Sequence, residues 1–303
     1  MRSTLGALAL SLLFFLIPAC GRDAGGARGG AARADAAVPD SLSPRSVYGA
    51  TAVENVRVVP VEIEVRDLPP GWSGMRIAAL SDFQLGLWSD NEQVARAAVE
   101  KAVAARPDIY VLLGDYVARG RDYAALERVL APLRGKPVFA VLGHADDEDD
   151  PRAAVDSTEI LTVQALARAG VTVLRNARAR YIRQGDTAFI AGVEPYLARR
   201  PDWRKAEVFA GLPASPVLLT HMPVVAALAP TDKYPAILSG HTFCGQVEVP
   251  GTPRLTWLNT EVFPGTPEPG TRRIYRIRGN TLFVTCGVGF SFIPVRLGAA
   301  PEV

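Results

Sequence analysis

The chain has 303 residues, a formal net charge of +2 at pH 7 and 49% hydrophobic residues. That length and apolar content can bury a sizeable core, and the near balance of charge, with no clustered basic excess, argues against a nucleic-acid-binding face. The chain has only three histidines and three cysteines, so the position of each bears on the chemistry.

Arg2 precedes the apolar run Leu5 to Ile17. At about 13 residues this run is short for a bilayer span and has the size of a signal-peptide core. The following "IPAC" resembles a bacterial lipobox, with Ala19 before Cys20, although Ile17 stands where leucine is usual and Pro18 is uncommon. Lipoprotein processing, ordinary secretion and an uncleaved anchor are three readings of this end, and each exports the rest of the chain. Residues 1–20 are therefore expected to be a signal peptide of lipoprotein type. Residues 21–47, rich in Gly, Ala and Pro, are too poor in large apolar side chains to offset their ordering entropy, so they read as a flexible tether. The folded domain is expected over 48–303.

Within it, the alternating "VRVVPVEIEV" (56–65) predicts an opening strand, and "MRIAAL" (75–80) a second that ends at "SDFQLG". A helix is expected from about Glu92 to Ala105, capped by Asp90 or Asn91 and stopped before Pro107. "DIYVLLGD" reads as a buried strand, 122–133 as a helix, "PVFAVLGHAD" as a strand and 157–169 as a helix. "VTVLRN", "TAFIAGVE", "PVLLTHMP" and "PAILSGHT" follow as short strands. Strands alternating with helices indicate an α/β fold, and the strand-rich second half suggests a second sheet packed on the first.

Asp82, Asp115, His144, His221 and His241 each fall just beyond the C-terminal end of an expected strand, where open α/β sheets place their ligand sites. All three histidines belong to this set. Imidazole and carboxylate together suit Zn, Mn or Fe, whereas carboxylates alone favour Mg or Ca.

The ordered series Asp82-x-Gln84, Gly114-Asp115, Gly143-His144-Ala145-Asp146, His221 and Gly240-His241-Thr242-Phe243 resembles the calcineurin-like metallophosphoesterases. That family's pattern is D-x-H, GD, GNH-D/E, H and GHxH. The resemblance runs from about residue 54 to the C-terminus, and the ending "GVGFSFIPVRLGAAPEV" is similar to the tail of a membrane-associated bacterial branch. It implies a two-sheet αββα sandwich and hydrolysis of phosphodiesters or phosphomonoesters. It also implies that Asp115, His144, His221 and His241 hold one ion. The other ion's family ligands fall at Asp82, Gln84, Asp115 and Phe243, where two histidines are missing. The family's GNH histidine, thought to assist the leaving group, is replaced by Ala145; a one-residue slip in the match would return His144 to that role.

The expectation is an exported phosphoesterase with about one tightly bound divalent transition metal (Mn, Zn or Fe) per chain. Asp82, Asp115, His144, His221 and His241 are its candidate metal ligands. Asp82, Gln84 and Asp146 are its candidate catalytic groups: Asp82 and Gln84, the latter offering only a neutral oxygen, take a weaker second ion or the attacking water, and Asp146 orients a water. The alternative is a pseudoenzyme that binds a phosphorylated ligand or partner. Expected partners are a phosphoester substrate, such as a lipid headgroup or envelope component, and the membrane through the N-terminal anchor, with no nucleic acid and a monomeric chain. A lipoprotein facing the periplasm or the cell exterior is the expected location. Cys244 and Cys286 are either buried thiols or approach one another near the site. Trp72, Phe83, Trp88, Phe290 and Phe292 are either core packing or an apolar rim.

Overall fold

The computed structural model describes residues 47–48, 53–118, 122–146, 158–193, 213–247, 274–291 and 293–303. The proposed signal peptide and most of the tether lie outside these residues. Among those described, no helix is long and apolar enough to cross a membrane.

A two-residue ribbon pairs β1 (Val47–Tyr48) with β12 (Val295–Arg296). The first of two larger sheets is wholly parallel: β2 (Ile77–Leu80), β3 (Ile109–Leu112), β4 (Val138–Ala140) and β5 (Thr172–Val173), in that order. The second is built from β6 (Ala177–Arg183), β7 (Asp186–Gly192), β8 (Val217–Leu219), β9 (Ala236–Ser239), β10 (Ile274–Ile277) and β11 (Asn280–Val284). Its order is β10-β11-β9-β8-β7-β6, parallel from β11 through β7 and antiparallel at both edges.

Strands covered on both faces read as continuous apolar runs, which is why "IYVL" and "AILS" show no polar alternation. Their side chains nevertheless divide by parity. Ile109, Val111 and Leu113 join Phe139, Val141, Ile190, Val217, Leu219, Leu238 and Phe283 in the core between the sheets. Tyr110, Leu112, Ala140 and Leu142 face the other way, into a core closed by α1 (Asp90–Ala104), α2 (Tyr123–Leu130) and α3 (Thr158–Arg168). On the far side of the second sheet, Leu218, Ile237, Leu282 and Val284 pack under the short 3-10 turn Pro223–Ala227. Helices, two sheets and an outer helical turn make the αββα sandwich that the family resemblance implied.

The expected strand over 56–65 does not form. Its alternation is real, since Val61 and Ile63 pack on the inter-sheet core. The backbone bonds only near its start, Arg57 N–H to Pro301 O and Val59 N–H to Val303 O, and Pro60 has no N–H to extend a ladder. The first helix begins at Asp90 rather than Glu92, after Ser89. The short β1 and β12 and three hairpin strands, β6, β10 and β11, escaped the sequence reading. The hairpin turns, Gln184-Gly185 and Arg278-Gly279, have positive φ at both residues, the type I′ geometry that joins tight hairpins.

Trp72 lies in the inter-sheet core region and Phe83 and Phe290 in the helix-side core, all fully buried, while Trp88 packs against the helix-side core. Their role is packing rather than a rim; Phe292 lies outside the described residues.

Candidate metal centre

Asp82, Asp115, His144, His221 and His241 follow the C-terminal ends of β2, β3, β4, β8 and β9, five parallel strands drawn from both sheets. The loops that carry them approach so closely that glycine is required between them. A Cβ at Gly143 would run into the Asp115 carboxylate, and one at Gly240 into Ser81 Oγ. Asp82, Gln84, Asp115 and His241 all adopt left-handed backbone, with φ of 60°, 50°, 57° and 75°. Such conformations are sparsely populated by non-glycine residues and gather at functional sites.

Asp115, His144, His221 and His241 each offer one ligand atom to a common point, the four lying within 4.8 Å of one another. His144 Nδ1 and His221 Nε2 stand 3.2 and 3.4 Å from Asp115 Oδ2. His221 Nε2 lies 3.2 Å from both His144 Nδ1 and His241 Nδ1. With metal bonds of about 2.0–2.2 Å, tetrahedral donors stand about 3.3–3.6 Å apart, so these spacings and this nitrogen-rich set fit a late transition metal. The ring of His221 is oriented from behind: Nδ1–H donates to Leu113 O at 2.7 Å, so Nε2 is the nitrogen turned toward the site.

The buried carboxylates and imidazoles shift one another. Burial alone would raise Asp115, but His221 and His144 hold it well below the usual carboxylate range. Burial pulls His221 down, yet Asp115 and Asp82 push it up to about 9. Burial and the neighbouring His221 and His144 bring His241 down to about 3, so its imidazole is neutral. Asp115 and His221 are fully buried, whereas the His144 side chain is 45% exposed and marks the open side.

The remaining sequence candidates take other places. Asp82, expected as a ligand, is outside the converging four: its Oδ2 accepts the His241 backbone N–H at 3.0 Å. Its Oδ1 and Ser81 Oγ are buried without a partner among the described residues. Burial and Asp115 raise the Asp82 carboxyl above its ordinary value despite the lowering effect of His221. Gln84, expected to offer an oxygen, instead donates from Nε2 to Asp115 Oδ2 at 2.8 Å. Phe243 is buried, with the Arg296 guanidinium 5.3 Å from its ring centroid.

Asp146, expected to orient a water, is fully buried behind the site. Its Oδ2 accepts N–H from Asp115 at 2.7 Å and Gly143 at 2.9 Å, and Oδ1 accepts N–H from Tyr116 at 3.1 Å. A carboxylate so occupied sets two ligand loops in register.

Arg296 went unnoticed in the sequence. Fully buried, it donates to the carbonyls of Gly289, Cys286 and Ala299. A lone arginine in an apolar C-terminal tail was the available signal. Cys244 and Cys286 are joined by a disulfide, their Cα atoms 4.6 Å apart.

Residues 75–244 match the family model described as "Calcineurin-like phosphoesterase". The chain is 29% identical over 277 residues to a Danio rerio protein named "Transmembrane protein with metallophosphoesterase domain", covering 85% of this chain and 59% of that one. It is 30% identical over 212 residues to Phosphodiesterase YaeI of Escherichia coli (strain K12), covering 68% of this chain and 72% of that one. A Bos taurus relative with the same name as the fish protein is 27% identical, and the chain spans 57% of its length. Among solved structures, TT1561 of Thermus thermophilus is similar, with 18% identity, a TM-score of 0.45, and 71% of this chain and 90% of that one covered.

Proposed function

We propose that this chain, which belongs to the calcineurin-like phosphoesterase family, hydrolyses phosphodiester or phosphomonoester bonds with one tightly held divalent transition-metal ion. The observation that carries this reading is the convergence of Asp115, His144, His221 and His241 on one point, while Gln84 and Phe243 are turned to other uses. When bound, such an ion supplies a Lewis acid for a phosphoryl oxygen and for water. Asp115 and His221 would hold it from the buried side, with His241 as a neutral imidazole and His144 at the opening. Ala145 has no proton to give a leaving oxygen. Esters whose leaving groups depart as stable anions should therefore react fastest.

Hydrolysis of an aryl phosphodiester, measured with elemental analysis after exhaustive dialysis, tests the reading. About one equivalent of metal with turnover is expected; two equivalents would overturn the one-ion claim. A second reading, a scaffold that binds phosphorylated ligands without turnover, draws on the same Ala145. Retained metal without hydrolysis of any ester, or no metal under any loading, would favour it.

Export and anchoring through Cys20 are part of the proposal, supported by the apolar run and "IPAC" in the sequence. Proximity to a membrane would favour lipid headgroups or envelope phosphoesters as substrates. Equal membrane attachment and unchanged processed size in Cys20→Ser would remove the lipoprotein reading.

A further inference from the structure

His241 reaches the site from a loop that L-residues adopt reluctantly. His241, Phe243, Cys244 and Gln246 have φ of 75°, 51°, 50° and 56°, and Gly245 between them has 78°. Conformations of this kind persist only where the surroundings over-determine them. The loop has few regular backbone partners, being a single 3-10 turn, Phe243–Gly245, capped by Thr242 Oγ1 accepting the Cys244 N–H.

Its fastening comes from the segment after β11. Cys286 lies two residues past the end of that strand, which is hydrogen-bonded alongside β9, the strand that leads to His241. The Cys244–Cys286 bond joins the two strand ends covalently. The same segment then grips the Asp82 loop, Val288 N–H donating to Ser81 O at 2.9 Å and Gly289 N–H to Asp82 O at 2.8 Å. Asp82 Oδ2 in turn accepts the His241 N–H at 3.0 Å. The links close a ring: His241 to Asp82, Asp82 to Gly289, Cys286 to Cys244, and back along the chain to His241. One link in it is covalent. Gln246 adds a polar brace, with Oε1 accepting from Ser291 N–H and Nε2 donating to Ile293 O.

We propose that the Cys244–Cys286 disulfide is a positioning element of the ion site, holding His241 where its Nδ1 meets the other three ligand atoms. The inference rests on the one-ion reading above for what His241 does, and on the ring of contacts alone for how it is held. Four ligands around one ion leave no spare donor, so a loop that lets His241 drift loses a quarter of the set. Groups that orient a ligand from outside its coordination shell typically change metal affinity about 10–100-fold when removed.

The test compares the oxidised protein with Cys244→Ala/Cys286→Ala, using Zn2+ alone, in competition with a chromophoric chelator. A fall in Zn2+ affinity of about 10-fold or more is expected. The same pair of changes made in a His241→Ala background should cost little further, because the disulfide acts through that histidine. Leu126→Ala, in the helix-side core, serves as a control that lowers thermal stability while leaving Zn2+ affinity unchanged. An affinity within about twofold of the oxidised protein, or an undiminished loss in the His241→Ala background, overturns the proposal.

Hydrogen exchange at the His241 amide separates this proposal from the one-ion reading. Exchange in metal-free protein should speed up about tenfold or more without the disulfide, as the His241–Asp82 bond opens more often. If oxidised protein takes no ion, the one-ion reading falls and exchange alone decides the disulfide's role; unchanged protection of that amide would sink it.

Discussion

Asp115 has two unlike sides. On one, its Oδ2 faces His144 and His221, with His241 close behind, a nitrogen-rich set spaced for a transition metal. On the other, the same oxygen accepts a neutral N–H from Gln84, beyond which lie Asp82, occupied by the His241 backbone, and Phe243, buried under Arg296. The resemblance to two-metal phosphoesterases would put an ion on both sides. On the one-ion reading, the contrast teaches that a shared carboxylate need not be left bare where a second ion is not held. A hydrogen-bond donor can satisfy it, and an aromatic ring over a buried guanidinium can fill the vacated ligand position. The opposite half of the site then keeps its geometry.

The largest test removes ligands from the intact side. His221→Ala and His241→Ala should each lower Zn2+ affinity on the order of 100-fold or more, beyond the range seen when only supporting groups are removed. Gln84→Ala, on the other side of the same carboxylate, should leave the ion in place. Chelator competition on the three purified variants measures both. Equal losses in all three would mean that the two sides act as one site.

A smaller effect, and a sharper one, comes from rebuilding the altered side. Gln84→His with Phe243→His supplies two imidazoles beside Asp82 and Asp115, and elemental analysis should rise from about one toward about two equivalents. Both changes are needed. The first removes the donor that occupies Asp115, and the second replaces a ring with no lone pair. The imidazole introduced at 243 would be buried beside the Arg296 guanidinium, which favours its neutral, ligand-competent form. No gain of metal in the double variant would show that more than these two positions separates the halves.

Much of this layout was legible in the sequence because apolar strands ending in Gly-Asp or Gly-His announce both the sheet and the site at its edge. The family resemblance carried by these motifs assigned Asp115, His144, His221 and His241 to one group, which the structure brings together. Direction was harder to read. Gln84 was expected to offer its carbonyl oxygen, but the side-chain amide has two faces, and only the packed structure shows the N–H turned to Asp115. Asp146 sits beside His144 in sequence and looked like part of the chemistry; its contacts are all backbone N–H groups on the buried side. The run at 56–65 alternated as a strand should, yet pairs with the C-terminal residues only at its start, before Pro60. The hairpins at 184–185 and 278–279 were marked by an X-Gly pair between alternating residues, a signal that was present and unused.

The smallest effect isolates the Gln84–Asp115 hydrogen bond, which on the one-ion reading stands where the second ion would sit. Gln84→Leu keeps most of the side-chain volume while removing the N–H that reaches Asp115 Oδ2. A hydrogen bond to a charged group contributes about 1.5–3 kcal/mol, so metal-free protein should lose stability of roughly that size. Adding Zn2+ should recover part of the loss, because an oxygen released from the amide is a better electron-pair donor to the ion. The rise in melting temperature on adding Zn2+ should therefore be larger in Gln84→Leu than in the unaltered protein, since ligand stabilisation grows with affinity as RT ln(1 + [L]/Kd). Thermal melts of both proteins, with and without the metal, make the comparison. If the variant gains less from Zn2+ than the unaltered protein, Gln84 is helping to hold the ion, and the division of the site into two sides at Asp115 is wrong.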